Sequence, residues 1–200
     1  AATSARNAVS VAGLRLAVPD DDTGEGVRLL DEGTGDARWV ARVLRSDSKR
    51  LDAGKRTRLA AEIRAGQRRA TDVVEERLAD IAARNATYNA FTEVTATRAR
   101  AEAAAVDAKI AAGIDPGPMA GVPVAVKNLF DLTGITTLAG AKIERDTPPA
   151  ARDAFLVRQM QAAGAVMLGA LNMDEYAYGF TTENAHFGPC HNPHDLTRIA

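Results

Sequence analysis

The sequence predicts an α/β fold, a mixed and partly parallel central sheet flanked by helices. Three features carry that expectation. Val122-Pro-Val-Ala-Val126 and Ala165-Val-Met-Leu168 are continuous apolar runs, the pattern of strands covered on both faces. Between them a helical stretch from Asp153 spaces Leu156, Met160 and Ala163 to face inward, and Gly164 ends it. A strand, a helix and a second apolar strand in such close succession give parallel neighbours in one sheet.

The elements before these strands follow from periodicity. Leu59 and Ile63 fall one helical turn apart, and Gly66 stands where that helix would stop. Thr71 is placed to N-cap a second helix, along which Val74, Leu78 and Ile81 share a face. Ala90-Phe-Thr-Glu-Val94 reads as a short strand. A third helix from about Thr97 carries Ala99, Ala103, Val106 and Ile110 on its buried stripe, with Gly113 past its end. Residues 113–121, with Pro116 and Pro118, form a turn-rich connection.

Residues 1–54 read differently. Asp20-Asp-Asp-Thr-Gly24, Glu32-Gly-Thr-Gly-Asp36 and Arg45-Ser-Asp-Ser48 interrupt each apolar run, so this stretch is expected to be a poorly ordered extension. It offers one short amphipathic helix around Trp39-Val40 and Val43-Leu44. Residues 55–200 are expected to form the main domain. The chain lacks an initial Met and ends on Arg198-Ile-Ala200, which suggests a fragment of a longer protein.

Composition excludes several classes of function. A net charge of −1 gives no global field for binding nucleic acid or an anionic membrane directly, and no apolar run is long enough to span a bilayer. The 20 Arg against 5 Lys carry no functional reading. A single cysteine, Cys190, excludes an internal disulfide framework and favours a cytoplasmic protein.

Lys127 directly follows an apolar strand. Desolvation there would disfavour the ammonium, and a neutral amine near physiological pH can serve as a general base; the plainer alternative is a lysine that snorkels to solvent. Cys190, His191 and His194, with His186 nearby, match no standard zinc spacing, so no metal is expected, and an Asn- and Pro-rich loop accounts for them. Asp174, Glu175 and Glu183 are expected to brace turns rather than to act as acid and base. Tyr176, Tyr178 and Phe180 are expected to pack. Gly121, Gly134 and Gly140 form no phosphate-binding pattern.

Gly121-Val-Pro-Val-Ala-Val-Lys127 resembles the lysine segment of the amidase-signature family. Asn172-Met-Asp-Glu-Tyr176, Gly179, Thr182-Glu-Asn184, Gly188-Pro189 and Asn192-Pro193 resemble the same family, in the same order and at its spacing. The resemblance spans roughly residues 56–200. It implies the N-terminal part of an amidase-signature α/β domain and a hydrolase that uses a nucleophilic serine, a bridging serine in a cis peptide, and a lysine. The lysine maps onto Lys127. The bridging serine would follow the Asn-Pro segment and the nucleophile would come later; neither corresponds to Ser4, Ser10, Ser46 or Ser48.

Within the family, Val126-Lys-Asn-Leu-Phe-Asp131, Leu138-Ala-Gly-Ala-Lys-Ile143 with Arg145-Asp146 and Pro148-Pro149, and Glu175-Tyr-Ala-Tyr-Gly-Phe-Thr-Thr182 resemble a branch acting on small urea-type amides such as 1-carboxybiuret. Ala141 departs from the serine that many members carry there. The resemblance further implies a dimer or hetero-oligomer with a small accessory subunit, and no cofactor. Arg145 could pair with a substrate carboxylate or form a surface ion pair with Asp146 or another acid, and Tyr176 is a second candidate for substrate contact. The alternatives are a glutaminase of the glutamyl-tRNA(Gln) amidotransferase A type and a non-catalytic protein with a degraded amidase fold.

Overall fold

The computed structural model describes residues 8–11, 14–17, 28–29 and 53–200. The chain divides into two compact units, 1–55 and 56–200. In the first unit, β1 (Ala8–Val11) pairs antiparallel with β2 (Leu14–Ala17), and β2 pairs with β3 (Arg28–Leu29). No strand is expected here from the sequence pattern, although two four-residue runs separated only by Ala12-Gly13 are hairpin grammar. The helix expected around Trp39 to Leu44 lies outside the described residues.

The helix α1 (Ala53–Arg64) starts at the unit boundary, and in the second unit it and α2 (Ala70–Tyr88) are followed by β4 (Phe91–Val94), α3 (Ala96–Ala111) and β5 (Pro123–Lys127). Then come α4 (Phe155–Ala162) and β6 (Val166–Leu171). Two small ladders close the chain: β7 (Glu183–Asn184) with β8 (Gly188–Pro189), and β9 (His191–Asn192) with β10 (Asp195–Ile199).

The main sheet has the order β4-β6-β5, with β5 parallel and β4 antiparallel to β6. It is the mixed α/β sheet that the sequence predicts. β6 is the central, covered strand, and every residue of it except Leu171 is buried. β5 is expected to be covered equally, yet of its five residues only Val126 is buried. With β6 on one side only, its apolar run serves an edge position among the described strands.

Helices flank β6 on both faces. Val166 and Leu168 pack with Val73, Val74 and Leu78 of α2 and with Ala99, Ala103 and Val106 of α3; Met167 and Ala170 pack with Val126 of β5, with Leu132 and with Val157 of α4. Met167 and Ala170 are three apart yet share a face because β6 carries a bulge: Val124 pairs with Met167, and the next residue, Ala125, pairs with Gly169. Gly169 has φ +154°, and a Cβ there would collide with the Glu93 carbonyl oxygen, so only glycine fits.

Two local expectations are corrected by tertiary contacts. Thr71 does not cap α2; the helix begins one residue earlier, and the Asp107 carboxylate of α3 accepts from the backbone amides of Ala70 and Thr71 (2.7 and 3.1 Å) and from the Thr71 hydroxyl (2.7 Å). In α4 the inward residue is Val157, fully buried, whereas Leu156 is 54% exposed. With only two turns of helix, 156/160 and 157/160 are both acceptable spacings, and contact with Leu132 and Met167 selects the second.

Candidate active site

Lys127 is the last residue of β5 and projects from the C-terminal end of a parallel strand, the usual location of sites in α/β sheets. Its side chain is exposed. The desolvation expected from the apolar strand is therefore not supplied by the described residues, because β5 lies at the sheet edge.

The residue after it is the opposite. Asn128 is 1% exposed and has every polar group paired. Its backbone N–H donates to the Leu171 carbonyl (3.0 Å), and its carbonyl accepts from Ala139 N–H (2.7 Å). Its side-chain oxygen accepts from Leu138 N–H (3.1 Å), and its side-chain amide donates to the Thr92 hydroxyl (2.9 Å). The strand end that carries Lys127 is thereby tied to β4 and to the Leu138–Gly140 loop.

Two more buried asparagines extend this shell. Asn184 donates to the Gly140 and Met173 carbonyls (2.7 and 2.9 Å) and accepts from His186 and Phe187 N–H (2.7 and 2.9 Å). Gly140 has φ +70°, and a Cβ there would come within 2.9 Å of the Asn184 side-chain nitrogen and of two carbonyl oxygens, so this close approach needs glycine. Asn172 donates to the Asn89 and Gly188 carbonyls (3.1 and 3.0 Å) and accepts from Met173 N–H (2.8 Å). In the sequence these asparagines stand only as motif letters, and their role is missed there; buried amides that bind backbone across long separations leave no local signature.

Of the acidic residues expected to brace turns, Asp174 does so. It accepts from Thr182 N–H (3.0 Å) and supports the 174–182 loop, in which Tyr176, Ala177 and Thr182 all have positive φ. Glu175 lies 3.6 Å from His186, and Glu183 is exposed in β7. The aromatic residues do not pack: Tyr176, Tyr178 and Phe180 are 46%, 93% and 101% exposed. The loop that carries them is held by polar contacts, through Asp174, the Tyr176 hydroxyl and backbone bonds, rather than by packing of these rings.

Tyr176 donates its hydroxyl to Glu144 (2.9 Å), and that bond holds its pKa above the ordinary tyrosine value. Its N–H donates to the Ala139 carbonyl (2.7 Å), so the Lys127 strand end, the 138–140 loop and the Tyr176 turn form one connected frame. Arg145 forms no ion pair with Asp146 among the described residues; its guanidinium lies over the Phe187 ring at 5.0 Å from the centroid. No hydrogen bond joins Lys127 directly to Arg145 or Tyr176 among the described residues. Ala141 is fully buried.

Cys190 is half-buried, and desolvation pushes its thiol above the usual range, which opposes nucleophilic use. His191 sits on the Leu196 carbonyl (3.1 Å), and Asn192 accepts from His194 N–H in a local turn (2.9 Å). Among the described residues no group of three His, Cys, Asp or Glu is arranged to hold a metal ion. No described helix is long and apolar enough to cross a membrane.

Comparison with known proteins bears on the same stretch. The chain is 60% identical over 138 residues to AtzE, part of the 1-carboxybiuret hydrolase of Pseudomonas sp. (strain ADP), which covers 69% of this chain and 30% of that protein. It is 50% identical over 129 residues to the A-type subunit of a glutamyl-tRNA(Gln) amidotransferase from Anaeromyxobacter dehalogenans, covering 64% and 26% respectively. Among solved structures it superposes with a TM-score of 0.71 and 57% identity on a chain of a vestigial protein complex tied to the origins of an s-triazine catabolic enzyme, covering 72% of this chain and 32% of that one. A bacterial aryl acylamidase matches at 31% identity and a TM-score of 0.64, over 68% of this chain and 29% of that one. The chain thus spans under a third of the length of these relatives. The amidase family model matches residues 72–200, the stretch that holds the Lys127 strand end and all three buried asparagines, and the chain belongs to the amidase-signature family.

Proposed function

We propose that the full-length protein is a cytoplasmic amide hydrolase in which Lys127 is the base of a Ser/cis-Ser/Lys triad. Support comes from one observation above all. Lys127 stands at the C-terminal end of a parallel strand, next to a fully hydrogen-bonded Asn128, inside the stretch matched to the amidase family. An unprotonated Lys127 amine would take a proton from the bridging serine as that serine takes one from the nucleophile. The nucleophile would then attack the amide carbon; the Lys127 ammonium would return the proton through the bridging serine to the leaving nitrogen, so that the amine departs neutral and an acyl-enzyme is left for water to cleave. No cofactor enters this chemistry.

Residues 53–200 contain no serine, so both hydroxyls must come from elsewhere in the full-length protein. The 200-residue chain alone should release no ammonia from any amide. Turnover by it that Lys127→Ala abolishes would refute the triad assignment.

The substrate we favour is a small urea-type amide such as 1-carboxybiuret, supported by the 60% identity to AtzE. Arg145 and Tyr176 are the candidate substrate contacts. Both are exposed on the frame that includes the Lys127 strand end, and the Arg145 fork suits a carboxylate. A dimer or hetero-oligomer that includes a small accessory subunit is proposed as well, supported by the likeness to a chain solved in a protein complex. The second reading, a glutaminase of the amidotransferase A type, has support from the 50% identical relative. Ammonia release by the full-length protein, with its accessory subunit supplied, distinguishes them: kcat/KM should favour 1-carboxybiuret over glutamine by a wide margin. The reverse preference, with ammonia delivered to a tRNA-bound acceptor, would establish the second reading, and no turnover of either would favour a degraded amidase fold.

A further inference from the structure

Asn128 adjoins the candidate base and is among the most deeply buried polar residues described, yet the chemistry above gives it no task. Its bonding is two-ended in a way that only an amide satisfies. At one end it must accept, because Leu138 N–H points at it (3.1 Å). At the other it must donate, because the Thr92 hydroxyl already gives its proton to the Ala170 carbonyl (3.3 Å). A carboxylate in the same place could serve Leu138 but would meet an oxygen at Thr92 unless that hydroxyl gave up Ala170. The backbone of Asn128 is bonded to the same elements, to β6 through Leu171 and to the loop through Ala139, so the side-chain and backbone ties act together. One residue thus joins β4, β6 and the Leu138–Gly140 loop at the point from which Lys127 leaves the sheet.

We propose that Asn128 is a positioning residue: its amide fixes the backbone on which Lys127 stands, and so the direction in which the amine reaches the serines. The inference rests on Lys127 being the base. A displaced base costs turnover far more than it costs substrate binding, since about 1 Å of misplacement is worth roughly 10²-fold in rate.

The test uses the full-length enzyme with Asn128→Asp, Thr92→Val and Thr92→Ser beside Lys127→Ala, measuring kcat, KM and thermal midpoint for each. Asn128→Asp should lower kcat about 10²-fold with KM within about threefold of wild type. Thr92→Val, which removes the far end of the relay, should show the same signature at about 10-fold, and Thr92→Ser, which restores the hydroxyl, should keep kcat within about twofold. Asn128→Asp with normal kcat overturns the proposal, as does a loss explained wholly by a lowered melting point with the folded fraction fully active. Lys127→Ala separates the two claims. If it stays active, the base assignment fails; if it is inactive while Asn128→Asp turns over normally, only the positioning role fails.

Discussion

Strand β6 is held by two kinds of buried polar cross-link, and they differ in charge. Around its C-terminal end the links are the neutral amides of Asn128, Asn172 and Asn184, each 6% exposed or less. Near its start they are ionic. Arg98 of α3 makes a two-pronged bond to Asp153 (2.8 and 2.7 Å) and a third to Glu102 (2.7 Å), and Glu102 accepts from Met167 N–H of β6 (2.7 Å). Amides bind backbone donors and acceptors without adding a field. Carboxylates and guanidinium bind more strongly but impose one. The three amides cluster at the strand end that carries the candidate base, and the Arg98 network braces the other end.

That contrast can be broken from either side, and the largest effect is catalytic. In the full-length enzyme, Lys127→Ala should reduce kcat by about 10⁴-fold or more, as loss of one member of a coupled triad does. Its denaturant midpoint should stay close to wild type, because the side chain is exposed. A variant that keeps most of its activity would return Lys127 to the role of a solvated lysine at a strand end.

On the ionic side, Arg98→Met should destabilise the fold by about 3 kcal/mol, since it leaves the Asp153 and Glu102 carboxylates, both largely shielded from solvent, with hydrogen-bond donors but no counter-charge. The doubled variant Arg98→Met with Asp153→Asn should recover part of that loss. A single variant as stable as wild type would mean that the pair contributes no net stability. On the amide side, Asn184→Ala should cost about 2–3 kcal/mol, as it strands two buried carbonyls and the N–H groups of His186 and Phe187 together. Denaturant unfolding measures both.

How far these two sides are legible in the sequence differs for a physical reason. Periodicity and apolar runs reveal elements because the signal is local, so the sheet strands, the helices α2 and α3 and the strand-end position of Lys127 are readable. What decides the corrected details is always a contact distant in sequence. Asp107 displaces Thr71 as the cap of α2 across 36 residues, and Leu132 with Met167 sets the phase of α4. The exposure of Tyr178 and Phe180 depends on what lies opposite the 174–182 loop, which no pattern within that loop encodes. The roles of Asn128, Asn172 and Asn184 are invisible for the same reason, although their letters carry the family resemblance.

The smallest expected effect sharpens the contrast most, because it concerns pH alone. Burial works against ionisation of Asp153, yet the hydrogen bonds from Arg98, from Thr133 N–H (2.7 Å) and from the Thr133 hydroxyl (3.0 Å) outweigh it and hold its pKa at about 2. A carboxyl whose folded pKa is depressed contributes stability above its unfolded value, ordinarily 3.8, and loses it as pH falls through the folded value. Asp153 should therefore add about 2 kcal/mol at neutral pH that disappears between about pH 4 and pH 2. Its side chain is only 10% exposed, so solvent screening removes little of this. Asp153→Asn should unfold with a shallower acid slope than wild type across that window. Asn184→Ala should leave the slope unchanged and lower the whole curve by one amount, because an amide binds no proton there. If Asn184→Ala alters the slope as much as Asp153→Asn does, the two ends of β6 are not held by electrostatically distinct means.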